Sequence, residues 1–492
     1  MDASHPAKAG TEATRNSEFT TFWIYCIRIR RLLEEMPNSP NGEEAFVTTH
    51  FDVLVIGSGT AGQTLAHPIR KAGKTVAVAD RRPFGGTCAI RGCQAKKYLV
   101  TAAEMVDLTR HMTGNGIGTP ATIDWPELIR FKKEFTDEVP DNTENGLWEA
   151  GIETLHGMVQ FTGENSVLVD DVPVTADVIV IATGATPMPL PIQGVEHLLT
   201  SEEFLEMPKI PNRLVFVGGG YISMEFAHVA ARAGASVTVL EMADRILGGF
   251  DPDLVDTLVS ASKAEGIQLE TGVKVSAVRP EDGGFRVETD DGRHFSADRV
   301  IHGAGRVPEI ADLDPGKGNV EYSGQGVAVN AFMQSVSNPR VYAIGDAADA
   351  PPQLATVADM EAEAAADNIL NGNRTEADHD HVPSVVFTLP LLASVGMGEK
   401  EAREKGLSIK VNKGNPANWP SSWRIGQEFA GFKVILEEET RRILGAHLLC
   451  HEAGDMINLF AVAIKQGLTA DDLKAVLWAY PTYTSDIKYM IR

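Results

Sequence analysis

Cys88 and Cys93 carry the most reactive chemistry in the chain, within Gly85-Gly86-Thr87-Cys88-Ala89-Ile90-Arg91-Gly92-Cys93-Gln94-Ala95-Lys96-Lys97. In an ideal helix, five residues separate two side chains by about 7.5 Å of rise and about 140° of rotation, too far for a relaxed disulfide. Gly92 permits a distorted first turn that brings the sulfurs together. Lys96, Lys97 and a helix N-terminus lower a thiol pKa and make a thiolate available near neutral pH. A redox-active disulfide, two buried thiols and half a zinc site all use such a pair. No second Cys pair lies nearby, and Cys26 and Cys450 stand alone, so a zinc ion would lack its other ligands. Thiol–disulfide chemistry is the expectation, and no metal site is expected.

Two glycine loops supply a second kind of chemistry, the binding of diphosphates. Gly57-Ser58-Gly59-Thr60-Ala61-Gly62 follows the apolar run 53–56. In this pattern the first glycine makes a tight turn and the second lets a pyrophosphate approach the backbone. The third lets a helix pack on the strand, and that helix offers free N–H groups to the anion. Asp80 closes the next apolar run, where a carboxylate accepts from the hydroxyls of an adenosine ribose. The second loop, Gly218-Gly219-Gly220-Tyr221-Ile222-Ser223, follows the run 214–217 and has Ser in the third position. Glu241 closes its following run. A carboxylate there favours a free 2′-hydroxyl, so NAD(H) is expected over NADP(H), with Arg245 the one basic residue near enough to oppose it. Two such loops imply two different dinucleotides.

Loops of this type need buried parallel strands joined by crossover helices. The apolar runs at 53–56, 76–79, 178–181, 214–217, 237–240 and 341–344, with helical stretches between several of them, provide these. The fold class expected is α/β, with two Rossmann-like dinucleotide-binding domains and a C-terminal α+β unit. Residues 51–186 and 307–381 form the first nucleotide-binding and central region, and 187–306 the second, after the break Pro187-Met188-Pro189-Leu190-Pro191. Residues 382–492 form the C-terminal unit. The run Glu376-Ala377-Asp378-His379-Asp380-His381 before it reads as a solvated loop rather than a metal site, and residues 1–50 as a disordered extension.

Composition removes several classes of function. Lys plus Arg number 44 and Asp plus Glu 67, a net charge of −23 with no basic patch, which repels nucleic-acid phosphates. No apolar run reaches the ~18 residues of a membrane-spanning helix. Four Cys in 492 residues do not make a disulfide-stapled secreted fold, so a cytoplasmic protein is expected.

Taken with the preceding dinucleotide loop, Gly86-Thr87-Cys88 through Gly92-Cys93 resembles the class I pyridine nucleotide-disulfide oxidoreductases. This family includes dihydrolipoamide dehydrogenase, glutathione reductase and mercuric reductase. Ala182-Thr183-Gly184, Gly303-Ala304-Gly305-Arg306-Val307-Pro308 and Ala343-Ile344-Gly345-Asp346 match its other motifs in order. The resemblance runs from about residue 51 to 492, and it implies FAD at Gly57, Gly59, Gly62, Asp80, Gly86 and Thr87, with Thr183, Gly184, Gly345 and Asp346. It places NAD at Gly218, Gly220, Tyr221, Glu225, Glu241 and Gly305. Electrons would pass from NADH through the flavin to Cys88–Cys93, with Cys93 facing the flavin and Cys88 exchanging with a small-molecule or protein disulfide. Lys96 or Lys97 would sit near flavin N5, paired with Glu225, and Tyr221 would cover the flavin until nicotinamide enters. A homodimer is implied, with 382–492 as its dimerisation domain.

Two positions depart from the family pattern. Ala95 stands where a Pro is usual. In Tyr480-Pro481-Thr482-Tyr483-Thr484-Ser485-Asp486, Tyr480 occupies the place of the relatives' catalytic His and Ser485 that of its Glu. A phenol, pKa near ~10, is a poor base at neutral pH beside an imidazole near ~6.5, and such a base is worth about 10²–10⁴-fold. Dihydrolipoamide dehydrogenase is the nearest expectation by Glu241 and the overall motifs, with weak disulfide turnover through Tyr480. A soft-metal-ion or quinone reductase of the mercuric-reductase type is the alternative, although the chain ends Lys488-Tyr489-Met490-Ile491-Arg492 without that enzyme's Cys pair. A flavin redox sensor that does not turn over is a second alternative. His447 and His451 are candidates to replace the missing base, with a structural role the stronger expectation.

Overall fold

A computed structural model describes residues 49–492, and the reading of residues 1–48 as an extension falls outside them. The first strand, β1 (Thr49–Ile56), starts two residues before the expected boundary, because Thr49 and His50 already pair with Val174 and Thr175. Val53, Leu54 and Val55 are buried on both faces, which explains the unbroken apolar run. Helix α1 (Thr60–Lys71) begins where β1 ends and buries Leu65, Ala66 and Ile69 against the sheet. Strand β2 (Val76–Asp80) then lies parallel to β1, with Val53 opposite Val76.

Seven strands make this sheet. β2, β1, Glu153–His156, Val172–Ile181 and Val341–Ala343 run parallel, and the hairpin of Val159–Gly163 and Ser166–Val169 extends one edge antiparallel. After β2 come the short helix α2 (Gly86–Arg91) and the long helix α3 (Cys93–His111).

A second, five-stranded sheet is wholly parallel. Its core is β3 (Arg213–Val217), helix α4 (Tyr221–Arg232) and β4 (Ser236–Leu240), flanked by Gln268–Glu270, Arg299–His302 and Leu198–Leu199. The chain then returns to the first sheet, where α5 (Ala355–Asn371) packs on α1. Residues 384–450 supply a five-stranded antiparallel sheet backed by the helix Ala453–Lys465, with Val434, Leu448, Ile457 and Phe460 at its centre. This is the expected α/β architecture of two Rossmann-like units and an α+β unit. Among the described residues no helix is long and apolar enough to cross a membrane.

The Asp/His run is not simply a solvated loop. His379 turns inward and its Nε2 lies 2.7 Å from Oε1 of Glu361, a buried α5 carboxylate that needs a polar partner.

Candidate functional site

Both glycine loops stand at the carboxyl ends of their sheets. Gly57 has φ +112°, and a Cβ there would lie 2.3 Å from the Ala182 carbonyl oxygen. A Cβ on Gly62 would lie 2.0 Å from the Gly57 carbonyl oxygen, so α1 meets the loop only through a hydrogen atom. Gly59 differs, since a Cβ there would meet nothing nearer than Gly86 Cα at 3.7 Å. Its bareness serves whatever approaches from outside. In the second loop Gly218 has φ +98°, and a Cβ on Gly220 would meet nothing nearer than the Gly303 carbonyl oxygen at 3.7 Å. Ser223 fits in place of a third glycine because Gly303 makes room: a Cβ on Gly303 would lie 1.9 Å from Ser223 Oγ.

The carboxylates that end β2 and follow β4 hold these loops in the same way. Ser58 N–H and Oγ donate to Asp80 Oδ2 at 2.8 and 2.7 Å, and Arg82 N–H donates to Oδ1 at 2.9 Å. Gly219 N–H donates to Glu241 Oε2 at 2.5 Å and Ala243 N–H to Oε1 at 2.7 Å. Arg245 points away, bonded to Asp256 and to the Pro252 carbonyl.

A cavity of about 480 Å³ runs from the first loop to the cysteines. Gly57, Gly59, Asp80, Gly86 and Thr87 line one end. Thr183, Gly184, Gly345 and Asp346 line its side, and Cys88, Cys93, Lys96, Tyr221 and Glu225 its far end. Gly62 lies behind this wall, and Gly218, Gly220, Glu241, Gly305 and Lys97 lie outside it. The lining suits FAD. Thr183 Oγ1 is buried with no protein partner, and Gly86 packs its bare Cα on Gly59, where a Cβ would lie 2.3 Å from the Gly59 Cα, so the loop carries no side chain there. Gly345 N–H is held by Glu361 at 2.6 Å. Burial raises the Asp346 pKa, and Arg306 beside it opposes the shift.

The helix breaks at Gly92 (φ −142°, ψ −124°), so α2 ends and α3 starts afresh at Cys93. This break brings the unbonded Cys88 and Cys93 thiols next to each other, so that each shifts the other's titration. The Cys88 proton stabilises a Cys93 thiolate, whose pKa falls to about 6 with further help from Lys96, against burial and Glu225. Cys88 moves the other way, because its proton is held by Cys93 and its surroundings are dry. Lys96, not Lys97, pairs with Glu225. The second Glu225 oxygen accepts the Phe387 N–H at 2.9 Å, so this buried carboxylate is held from two sides. Lys97 instead stacks on the Phe387 ring, 3.9 Å from its centroid, and burial lowers its pKa. Tyr221 projects into the cavity and its surroundings push its hydroxyl up to about 12.

Tyr480 does not join this constellation within one chain. It is 69% exposed, on a segment whose Leu477 is 99% exposed. His447 is a structural histidine, buried between Ser394 Oγ at 2.8 Å and the Met397 carbonyl. His451 faces Glu104, far along α3 from Cys93. Sequence reasoning missed Phe387 and Arg91, which both line the cavity, and Glu361 with His379 behind it. The spacing of Arg91 between the two cysteines was the one available signal.

Comparison with known proteins agrees with this arrangement. Residues 51–362 match the pyridine nucleotide-disulphide oxidoreductase family model, and 382–491 match that family's dimerisation domain. The chain is 33% identical over 439 residues to a glutathione reductase of Burkholderia cepacia (89% of this chain, 97% of the relative). It is 32% identical over 450 residues to a mercuric reductase of Bacillus cereus (90% and 71%). With a dihydrolipoyl dehydrogenase of Haloferax volcanii it shares 30% over 450 residues (89% and 94%), so this enzyme does not stand out as the nearest. The solved Cu(II) complex of the HOCl-induced flavoprotein disulfide reductase RclA from Escherichia coli superposes with a TM-score of 0.82 at 26% identity, covering 90% of this chain and 99% of that one. The chain belongs to the pyridine nucleotide-disulphide oxidoreductase family.

Proposed function

We propose that the protein is an NADH-linked flavoprotein reductase in which Cys88 and Cys93 deliver two electrons to an acceptor that needs no imidazole acid or base. The observation that carries this reading is the adjacent Cys88 and Cys93, with Lys96–Glu225 beside them, lining one cavity with the first glycine loop. FAD, when bound along Gly57, Gly59, Asp80, Thr183 and Asp346, supplies the two-electron carrier between nicotinamide and the cysteines. The chain's own residues do the rest. Lys96 sets a fixed cation beside the Cys93 sulfur, where negative charge gathers on reduction. Tyr221 covers the nicotinamide entry. Glu241, held by two backbone N–H groups and left unopposed by Arg245, favours a free ribose 2′-hydroxyl and hence NADH.

Among acceptors, soft metal ions are favoured over disulfides. A disulfide needs a proton delivered to its leaving thiolate, and the segment that supplies it in relatives carries Tyr480 here. A metal ion needs only electrons: the dithiol becomes the disulfide, releasing its protons, while two Cu(II) become two Cu(I). The mercuric reductase relatives and the Cu(II) complex of RclA support this class.

The test is a turnover screen under NADH and NADPH with lipoamide, glutathione disulfide, Hg(II), Cu(II) and a quinone. Expected are a yellow protein, a preference for NADH, metal-ion turnover that Cys88→Ser and Cys93→Ser abolish, and poor lipoamide turnover. Lipoamide reduction at the rates of relatives that keep the His would overturn the acceptor assignment.

A further inference from the structure

Arg91 stands between the two cysteines in the chain and lines the cavity, with only 14% of its side chain exposed. Its Nε is fully buried and makes no hydrogen bond. Its nearest carboxylate oxygen, Glu202 Oε1 on the short helix Ser201–Leu205, is 3.5 Å away. That carboxylate is already taken, since Arg82 grips both its oxygens in a fork at 3.1 and 3.0 Å. The other cavity cations are matched. Arg81 binds Glu309 and Asp312, Lys96 binds Glu225, and Arg306 donates to the Ala185 carbonyl. Arg91 therefore shares its carboxylate with a second arginine in a partly dry place, where burial and Arg82 pull its pKa down against Glu202, Asp80 and Glu309. A guanidinium N–H buried without a hydrogen bond is costly, and an anion entering from the cavity side removes that cost.

The surrounding wall indicates which anion. Arg91 lies one turn beyond Thr87 on α2, on the same side of the helix, and Thr87 follows Gly86, which packs against Gly59 of the first glycine loop. A diphosphate seated on that side-chain-free loop would bring its oxygens to an arginine fork. We propose that Arg91 binds the diphosphate of FAD and so anchors the loop joining Cys88 to Cys93 to the cofactor. This assignment rests on the flavin reading above and adds a residue that neither glycine loop contains.

The test uses the full-length apoprotein, titrated with FAD and with riboflavin, which has the same ring system and no phosphate, while flavin fluorescence is followed. Arg91→Met should weaken FAD by about 10–100-fold, the worth of a charge-assisted hydrogen bond, and leave riboflavin unchanged. ADP should compete with FAD in the wild type and compete less well in the variant. Arg91→Gln, which keeps a polar head, carries the same test if the Met variant does not fold. Unchanged FAD affinity, or an equal loss for FAD and riboflavin, overturns the proposal. A wild-type protein that takes up neither flavin would instead sink the flavin reading itself.

Discussion

The Cys93 sulfur owes its acidity to two neighbours of different kinds, the Cys88 proton and the Lys96 ammonium. With the folded pKa near 6, the thiolate is present above that pH and is lost as pH falls through it. Alkylation of the reduced protein by iodoacetamide should therefore follow a titration with a midpoint near 6. Lys96→Met should move the midpoint up by about one unit or more, and it also strands the buried Glu225 charge, costing about 3–5 kcal/mol in denaturant melts. Lys97→Met should cost far less, because its aliphatic stem still covers Phe387. Which lysine does which task was not legible in the sequence. Both fall in the first turn after Cys93, and their facing depends on where α3 restarts, which the Gly92 dihedrals decide. Arg91 was equally hidden, because it shares Glu202 with Arg82, and no local pattern encodes that competition.

At the scale of the loop and its helix, the glycines divide into those that hold the fold and those that leave room. Gly57→Ala and Gly62→Ala press a methyl into backbone at 2.3 and 2.0 Å and should destabilise the chain. Gly59→Ala and Gly220→Ala meet nothing closer than 3.7 Å, so both variants should fold and melt like the parent. The first should lose flavin and the second should lose NADH affinity with flavin retained, as measured by absorbance and by equilibrium titration. This division was legible, because a glycine's meaning lies in the Cβ it lacks and the strand–loop–helix context fixes where that Cβ would go. Tolerance of Ser223 was legible only as small size. Its actual cause, the bare Cα of Gly303, comes from a distant strand end. The inward contact of His379 was not legible because its partner Glu361 lies on a helix whose buried face the sequence does not announce.

Across the whole molecule, the parallel sheets and the antiparallel C-terminal sheet followed from apolar runs and their punctuation, whereas their mutual fastening did not. Lys433 and Asp251, both almost wholly buried, meet at 2.7 Å and clamp the C-terminal sheet to the second nucleotide-binding unit. A different surface is left bare, where Leu477, Tyr480 and Val476 project outward. Grouped exposed apolar side chains of this kind suit an interface, and the match of this region to a dimerisation domain makes a second copy of the chain the expected occupant. Leu477→Glu should convert a dimer to a monomer in sedimentation velocity, with NADH still bleaching the flavin and acceptor turnover reduced.

Helix α4 touches the C-terminal unit at successive turns: Glu225 takes the Phe387 N–H, His228 takes the Leu389 N–H at 3.2 Å, and Arg232 reaches the Leu389 carbonyl at 3.3 Å. With the Lys433 clamp on a further element, that unit is tied to α4 at several points. On the proposed reading, admission of nicotinamide then falls to a single aromatic ring, Tyr221, turning on its own side-chain bonds. Crystals of the protein should accordingly survive soaking in NADH without cracking or change of cell, and difference density should be confined to that ring and the incoming ligand.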